Sequence, residues 1–230
     1  MASIKKTNSL IYINVKNAIV IGATGLIGNY CLEELLQQES YAEIISFTRK
    51  PLNISHPKHK NQVIDFDKLE NYKSQIIATD VYCCLGTTIG TAGSQEAFKK
   101  VDYEYPVKFA QVAKENGTEQ YIVISSLGAN KNASTFYLKT KGEMEEALKK
   151  INFPSLLILR PSILLGPRKE FRFGELIGKF IMQALGILFI GSLKKYKGIH
   201  AKKVAHAMIK YAQHSSKRMR ILESTEIAEA

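Results

Sequence analysis

Residues 16–28 read KNAIVIGATGLIG. A short apolar, β-branched run ends on Gly22, and two further glycines follow at Gly25 and Gly28. Directly behind them, YCLEELLQQ (30–38) repeats its apolar residues at helical spacing. A strand, a glycine turn and a helix in that order form the opening half of a βαβ unit that can hold a dinucleotide. Glycine allows the tight turn and a close backbone approach to a pyrophosphate, whose charge meets the helix N-terminus. The spacing is G-x-x-G-x-x-G, which departs from the usual G-x-G-x-x-G fingerprint. The flanking elements therefore carry the reading, because the glycines alone would also suit an ordinary turn. Gly22, Ala23, Thr24, Gly25, Leu26, Ile27 and Gly28 are the first cofactor-binding candidates.

Apolar runs alternate with helical patterns along the rest of the chain. EIISFTR (43–49), QVIDF (62–66), DVYCCLG (80–86), QYIVISS (120–126) and SLLILRP (155–161) read as strands two to six. Residues 94–117 read as one long helix stopped by Gly117, and 136–151 as an amphipathic helix. Uninterrupted Val/Ile/Leu runs mark strands buried on both faces. Their alternation with helices predicts an α/β fold: a Rossmann-like, doubly wound parallel sheet with helices on both faces. The 230 residues suit a single domain, with a cofactor-binding core over about 16–160 and a C-terminal cap over about 161–230.

Composition narrows the class. The net charge of +11 is mostly lysine, scattered in pairs such as Lys99/Lys100 and Lys202/Lys203. No helix-turn-helix, zinc-finger or aromatic RNA-binding signature accompanies it, so no nucleic-acid partner is expected. The most apolar stretch, 177–191, is broken by Lys179 and falls short of the ~18 apolar residues a membrane span needs. The amphipathic stretch 175–190 could contact a membrane surface or a partner, but reads first as a cover over the cofactor edge that contributes to the core. MASIKKTNSLIYINVKN lacks the apolar core and cleavage site of a signal peptide, and a cytoplasmic protein is expected. Cys31, Cys83 and Cys84 are odd in number and show no metal spacing, which suits reduced core thiols. His200 and His206 have no visible catalytic partners.

The ends of the strands carry the chemistry. An acid at the end of strand two would bind a ribose 2′-OH and favour NAD. The chain instead has Phe47-Thr48-Arg49-Lys50. Arg49 can pair with a 2′-phosphate through its charged fork and Lys50 can add charge, which favours NADP(H). Asp65 could accept from the adenine amino group or serve as a turn residue. Leu85-Gly86-Thr87-Thr88 ends strand four at the carboxyl edge of the sheet, where ligands bind in open α/β folds.

FYLKTKG (136–142) places Tyr137 and Lys141 four positions apart. With eleven tyrosines in a lysine-rich chain, such pairs also arise by chance, and Tyr12–Lys16 is a second one. Position separates the two. Tyr12–Lys16 precedes the glycine turn, whereas Tyr137–Lys141 opens a helix just after a strand ending Ser125-Ser126. Residues four apart on a helix share a face. A lysine ammonium beside a phenol, whose ordinary pKa is ~10, favours the phenolate and suits it to acid–base work.

With G-x-x-G-x-x-G, the serine pair and Tyr-x-x-x-Lys, the chain resembles the short-chain dehydrogenase/reductase superfamily. CCLGTT (83–88), SSLGANKN (125–132), FYLKTKGEMEE (136–146) and LRPSILLGPRKEF (159–171) resemble its atypical branch, typified by the Tat-interacting protein. The resemblance spans about Lys16 to Ala212. It implies a bound NADP(H), with Gly22–Gly28 at the pyrophosphate, Arg49 at the 2′-phosphate and Leu85–Thr88 lining the cofactor. It further implies Tyr137 as proton donor, Lys141 as its partner and ribose ligand, and Ser126 or Ser125 orienting the substrate carbonyl. Pro161, Ile163 and Leu164 would lie beside the nicotinamide, with Arg168 reaching cofactor or substrate. Many superfamily members carry an asparagine in the helix after strand four; this chain has Asp102 there, with no role assigned. The expected activity is NADP(H)-dependent carbonyl reduction or alcohol oxidation on an unidentified small molecule. The alternative is a non-catalytic NADPH-binding regulatory protein, since the branch is linked to protein partners, including nuclear-import receptors.

Overall fold

The strand that opens the sequence reading, β1 (Lys16–Ile21), lies inside the sheet and has a neighbour on each side. A computed structural model describes residues 15–167, 196–214 and 219–230. Its strands continue as β2 (Tyr41–Thr48), β3 (His59–Val63), β4 (Asp80–Cys83), β5 (Gln120–Ile124) and β6 (Ser155–Arg160). β7 (Leu164–Leu165) and β8 (Ile199–His200) form a small separate ladder, and β9 (Met219–Glu223) closes the series. The main sheet has seven strands in the order β3-β2-β1-β4-β5-β6-β9, all paired in parallel. The helices are α1 (Leu26–Leu36), α2 (Ile89–Ala92), α3 (Gln95–Lys99), α4 (Tyr105–Glu115), α5 (Phe136–Ile151), α6 (Ala201–Gln213) and α7 (Ser224–Ala228).

Alternation explains the apolar runs. Along β1, Ala18 and Val20 pack with α1 and α6, while Ile19 and Ile21 pack with α4 and α5. On β5, Ile122 and Ile124 face the first group, and Tyr121 and Val123 the second. A central strand with helices on both faces has no solvent side, so both side-chain sets are apolar.

Three elements differ from the sequence reading. The third strand is His59–Val63, not 62–66. It is an edge strand with one neighbour, so its polar sequence HKNQV is tolerated, while Ile64 and Phe66 turn into the core just after it. The helix expected over 94–117 is broken. α3 ends at Lys99, a π turn spans Lys100–Glu104, and α4 begins at Tyr105. Pro106 has no N–H to donate to the carbonyl four residues back, and the turn widens so that Tyr105 N–H donates to the Lys100 carbonyl. The seventh strand, β9, is Met219–Glu223 and pairs with β6; its sequence MRILE, broken by Arg220 and ended by Glu223, has no long apolar run. Tyr12, Arg168 and the amphipathic stretch 175–190 lie outside the described residues.

At the amino end of β1 and β4, Asp80 is 1% exposed. Tyr41 donates to its Oδ2 at 2.5 Å and Lys16 Nζ lies 3.3 Å away, but Oδ1 has no hydrogen-bond partner among the described residues. Lys16 of the first Tyr-x-x-x-Lys pair thus works at the sheet end opposite the glycine turn. Burial pushes the Asp80 carboxyl above its ordinary pKa, against the opposing pull of Tyr41 and Lys16. A carboxyl raised on folding favours the folded state when protonated, and that contribution is lost as pH rises through its folded pKa. Urea denaturation of wild type and Asp80→Asn between pH 7 and pH 4 should therefore show wild type gaining on the variant as pH falls. The opposite slope would contradict this assignment.

Candidate functional site

The chain leaves β1 towards β2 and β3, then returns to the other side of β1 as β4, so the strand order reverses between β1 and β4. Such a switch point opens a crevice at the carboxyl ends of the strands. Gly22 sits there with φ +81°. A Cβ on it would stand 2.5 Å from the Cys84 carbonyl carbon and 2.7 Å from Leu85 N. A Cβ on Gly28 would stand 2.1 Å from the Gly22 oxygen. Both positions need glycine because backbone packs on backbone. Gly25 N–H donates to Gly22 O at 3.0 Å and closes the turn. Ala23 and Ile27 are buried beneath it, while Thr24 is exposed and Leu26 half-buried.

The amino end of α1 is left open. Gly25 offers no side chain as a cap, and the first turn holds no acid. By contrast α2, α3, α5 and α6 are capped by Thr88, Ser94, Thr135 and His200. Free N–H groups at a helix start above a glycine cradle suit a pyrophosphate.

Arg49 and Lys50 follow β2 and are exposed, and no carboxylate pairs with Arg49 among the described residues. Asp65 caps the 3-10 segment Phe66–Gln75 by accepting from Asp67 N–H at 3.0 Å, which is its turn role.

The end of β4 is tied to a buried charge pair. Asp102, in the π turn, is fully buried. Its Oδ2 accepts from Thr87 N–H at 2.8 Å, and its Oδ1 lies 2.8 Å from Lys141 Nζ. The Oδ1 contact is close enough for an ion pair but is not an aligned hydrogen bond, since Oδ1 has no hydrogen-bond partner among the described residues. Lys141 is 3% exposed and also reaches the Ile124 carbonyl at 3.4 Å. A Cβ on Gly86 would stand 3.5 Å from Asp102 Oδ1 and 3.9 Å from Lys141 Nζ, so the loop lies directly over the pair. Burial alone would lower the Lys141 pKa, but Asp102, and secondarily Tyr137, outweigh it and hold the ammonium above its ordinary value. Thr88 uses its hydroxyl to cap α2, accepting from Thr91 N–H at 3.1 Å.

Tyr137 is half-buried in the first turn of α5, with its ring 5.5 Å from that of the buried Phe98. The helix around it is pressed against a neighbouring loop. A Cβ on Gly142 would stand 2.2 Å from the Asn130 carbonyl carbon and from Lys131 N. Glycine inside a helix costs ~1 kcal/mol against alanine, so Gly142 beside Lys141 was a legible signal of this approach that the sequence reading missed.

The two serines part company. Ser125 is 4% exposed and donates to Glu145 Oε1 at 2.5 Å. Glu145, 1% exposed, accepts from Arg160 at 2.9 and 2.6 Å, and Arg160 also donates to Glu223 at 3.0 Å. The two-pronged bond to Glu145, backed by Glu223, holds the Arg160 pKa up against burial. Ser126 is half-buried, and among the described residues its hydroxyl makes only a 3.4 Å contact with the Leu127 carbonyl. Pro161, Ile163 and Leu164 lie in the segment after β6, held by Leu127 N–H to the Pro161 carbonyl at 3.0 Å and Ile199 N–H to the Ile163 carbonyl at 2.9 Å. Glu145, Arg160 and Glu223 went unnoticed in sequence because they lie far apart along the chain and match no motif.

A parallel sheet of this order with a glycine cradle at its switch point defines a Rossmann-type dinucleotide-binding protein. The family model described as NAD(P)H-binding matches residues 22–215. The rat protein HTATIP2 is 36% identical over 168 residues, covering 71% of this chain and 69% of its own. The mitochondrial protein FMP52 of Candida albicans is 34% identical over 204 residues, covering 86% and 88%. The chain belongs to this NAD(P)H-binding family, in the branch that holds these two relatives. Solved structures share the fold: the Lactococcus lactis oxidoreductase ylbE superposes with a TM-score of 0.63 at 18% identity, over 93% of this chain and 95% of its own. MoeE5 in complex with UDP-glucose and NAD does so with 0.67 at 16%, over 93% and 80%. No described helix is long and apolar enough to cross a membrane.

Removing one partner of a buried ion pair strands the other charge. Asp102→Ala should lower stability by about 3–5 kcal/mol, read as the shift in urea unfolding free energy. Asp102→Leu combined with Lys141→Met should cost less than Asp102→Ala alone; an equal or larger loss would show that the charge pair is not the source.

Proposed function

We propose that this protein is an NADP(H)-dependent oxidoreductase of the carbonyl reductase or alcohol dehydrogenase type. The observation that carries this reading is the buried Lys141 ammonium directly under the Gly86 loop, with Tyr137 one helical turn before it at the open end of the sheet. When bound, the reduced nicotinamide supplies a hydride to a carbonyl carbon. Tyr137 Oη gives its proton to the carbonyl oxygen and recovers one from solvent. Ser126, whose hydroxyl is nearly unengaged, donates a hydrogen bond to the same oxygen and stabilises the charge that develops there. Lys141, whose ammonium is paired with Asp102 and donates to the Ile124 carbonyl, has donor capacity left to hold a ribose hydroxyl and faces Tyr137. Arg49 and Lys50 meet the 2′-phosphate, the free N–H groups of α1 meet the pyrophosphate, and Leu85–Thr88 with Pro161–Leu164 line the cofactor. The chain is read as one domain, residues 1–230, and as cytoplasmic; the relatives named FMP52 are mitochondrial, and fractionation of cells expressing the tagged chain tests the location.

Two observations favour a second reading, that of a non-catalytic NADPH-binding regulatory protein with protein partners. Asp102 already balances the Lys141 charge, and Ser125 is engaged by Glu145, so this arrangement can serve to grip a cofactor without turnover.

The two readings separate on a panel of carbonyl substrates with NADPH. If the first holds, Tyr137→Phe lowers kcat about 10²- to 10⁴-fold while NADPH affinity, followed by fluorescence, stays near wild type. Tight NADPH binding with no Tyr137-dependent turnover favours the second. For cofactor choice, Arg49→Ala should weaken NADPH binding about 10- to 100-fold and leave NADH binding nearly unchanged.

A further inference from the structure

The segment that carries Arg49 and Lys50 is held by an asparagine from the neighbouring edge strand. Asn61 lies on β3, opposite Ser46 in the β2–β3 register. Its Nδ2 donates to the Ser46 carbonyl at 3.0 Å and to Thr48 Oγ1 at 2.9 Å, and its Oδ1 accepts from Leu52 N–H at 2.8 Å. A carbonyl can only accept and a backbone N–H can only donate, so the amide has a single orientation that satisfies both. Thr48, 4% exposed, passes its own proton on to the Lys50 carbonyl at 2.7 Å. Four hydrogen bonds therefore converge on residues 46–52, before and after Arg49, in a segment that also contains Pro51. The side chains of Arg49 and Lys50 are left exposed.

An exposed hydrophilic turn needs no such bracing to exist, because water satisfies its backbone groups. What bracing changes is the cost of binding. A flexible arginine loop must be ordered when it closes on a phosphate, whereas a loop already fixed loses less freedom. We infer that Asn61 is a positioning residue for cofactor choice: through Thr48, Lys50 and Leu52 it presets the backbone from which Arg49 and Lys50 meet a 2′-phosphomonoester. This rests on the NADP(H) reading above, and it assigns the preference to a residue on β3 that touches neither cofactor nor substrate.

The test is the ratio of NADPH to NADH affinity, measured by fluorescence titration on the full chain. Asn61→Ala should raise the Kd for NADPH about 5- to 10-fold and leave that for NADH nearly unchanged. Thr48→Val keeps the side-chain shape, removes the link to Lys50, and should lower the ratio in the same direction, which preserves the test if Asn61→Ala folds poorly. Because Asn61 acts through the arginine loop, adding Asn61→Ala to Arg49→Ala should change the ratio less than it does in wild type. A merely structural asparagine would weaken both cofactors alike and leave the ratio where it was. If Arg49→Ala collapses the ratio while folded Asn61→Ala and Thr48→Val retain it, the positioning role is overturned and the NADP(H) reading stands. If Arg49→Ala itself retains the ratio, the NADP(H) reading fails and takes this inference with it.

Discussion

The crevice depends on one close approach of backbone to backbone. Gly22, just past β1, lies so near the Cys84–Leu85 peptide that no side chain could stand between them. Gly28 repeats the constraint within the first turn of α1, against the Gly22 carbonyl. These two contacts set where α1 begins relative to β4. They thereby bring the open helix end and the Leu85–Thr88 loop to the same edge. Interiors are close-packed and adjust little, so a displaced turn would carry the helix with it. The Cys84 N–H bond to the Ile21 carbonyl at 2.8 Å extends the β1–β4 pairing right up to this point.

Behind that cradle, two buried carboxylates do the positioning. Asp102 joins the β4 loop to α5 through Thr87 and Lys141, and Glu145 joins the end of β5 to β6 through Ser125 and Arg160. Each carboxylate links one segment at the carboxyl edge to a cation. A buried ion pair often contributes little net stability compared with apolar packing, but it tolerates few alternative arrangements. The site thus has its lysine, one serine and the Leu85–Thr88 loop anchored by two buried carboxylates. Ser126 and Tyr137 remain half-buried.

The fold says more about the cofactor than about the substrate. Structures that share it at under 20% identity include the MoeE5 complex with a sugar nucleotide and NAD, as well as an oxidoreductase. A fold of this kind hosts many chemistries, and the distinguishing groups sit on its loops. On the function proposed above, those groups in this chain are the Ser126 hydroxyl, the Tyr137 phenol and the Arg49–Lys50 loop.

The sequence by itself determined the order of strands and helices and the place of the glycine turn. Periodicity and punctuation are local, and the helix over 136–151 appears with those bounds in the structure. Of the pair Tyr137–Lys141, the shared helix face was likewise legible, since spacing of four decides it. Where the local signal was weak the reading slipped. β3 and β9 lie at the sheet edges and lack the all-apolar run of a central strand, and Pro106 broke a pattern that otherwise looked continuous. What only the tertiary structure decided is how charges and hydroxyls are shared among segments distant in sequence. Asp102 stands 39 residues before Lys141, and Arg160 stands 63 before Glu223, as their numbers show. Nothing local marks either pair, because each partner is chosen by where the sheet brings the chain. The same is true of Ser125 and Ser126: identical neighbours in sequence, they face a buried carboxylate and the half-open edge respectively, since alternation turns successive residues to opposite sides.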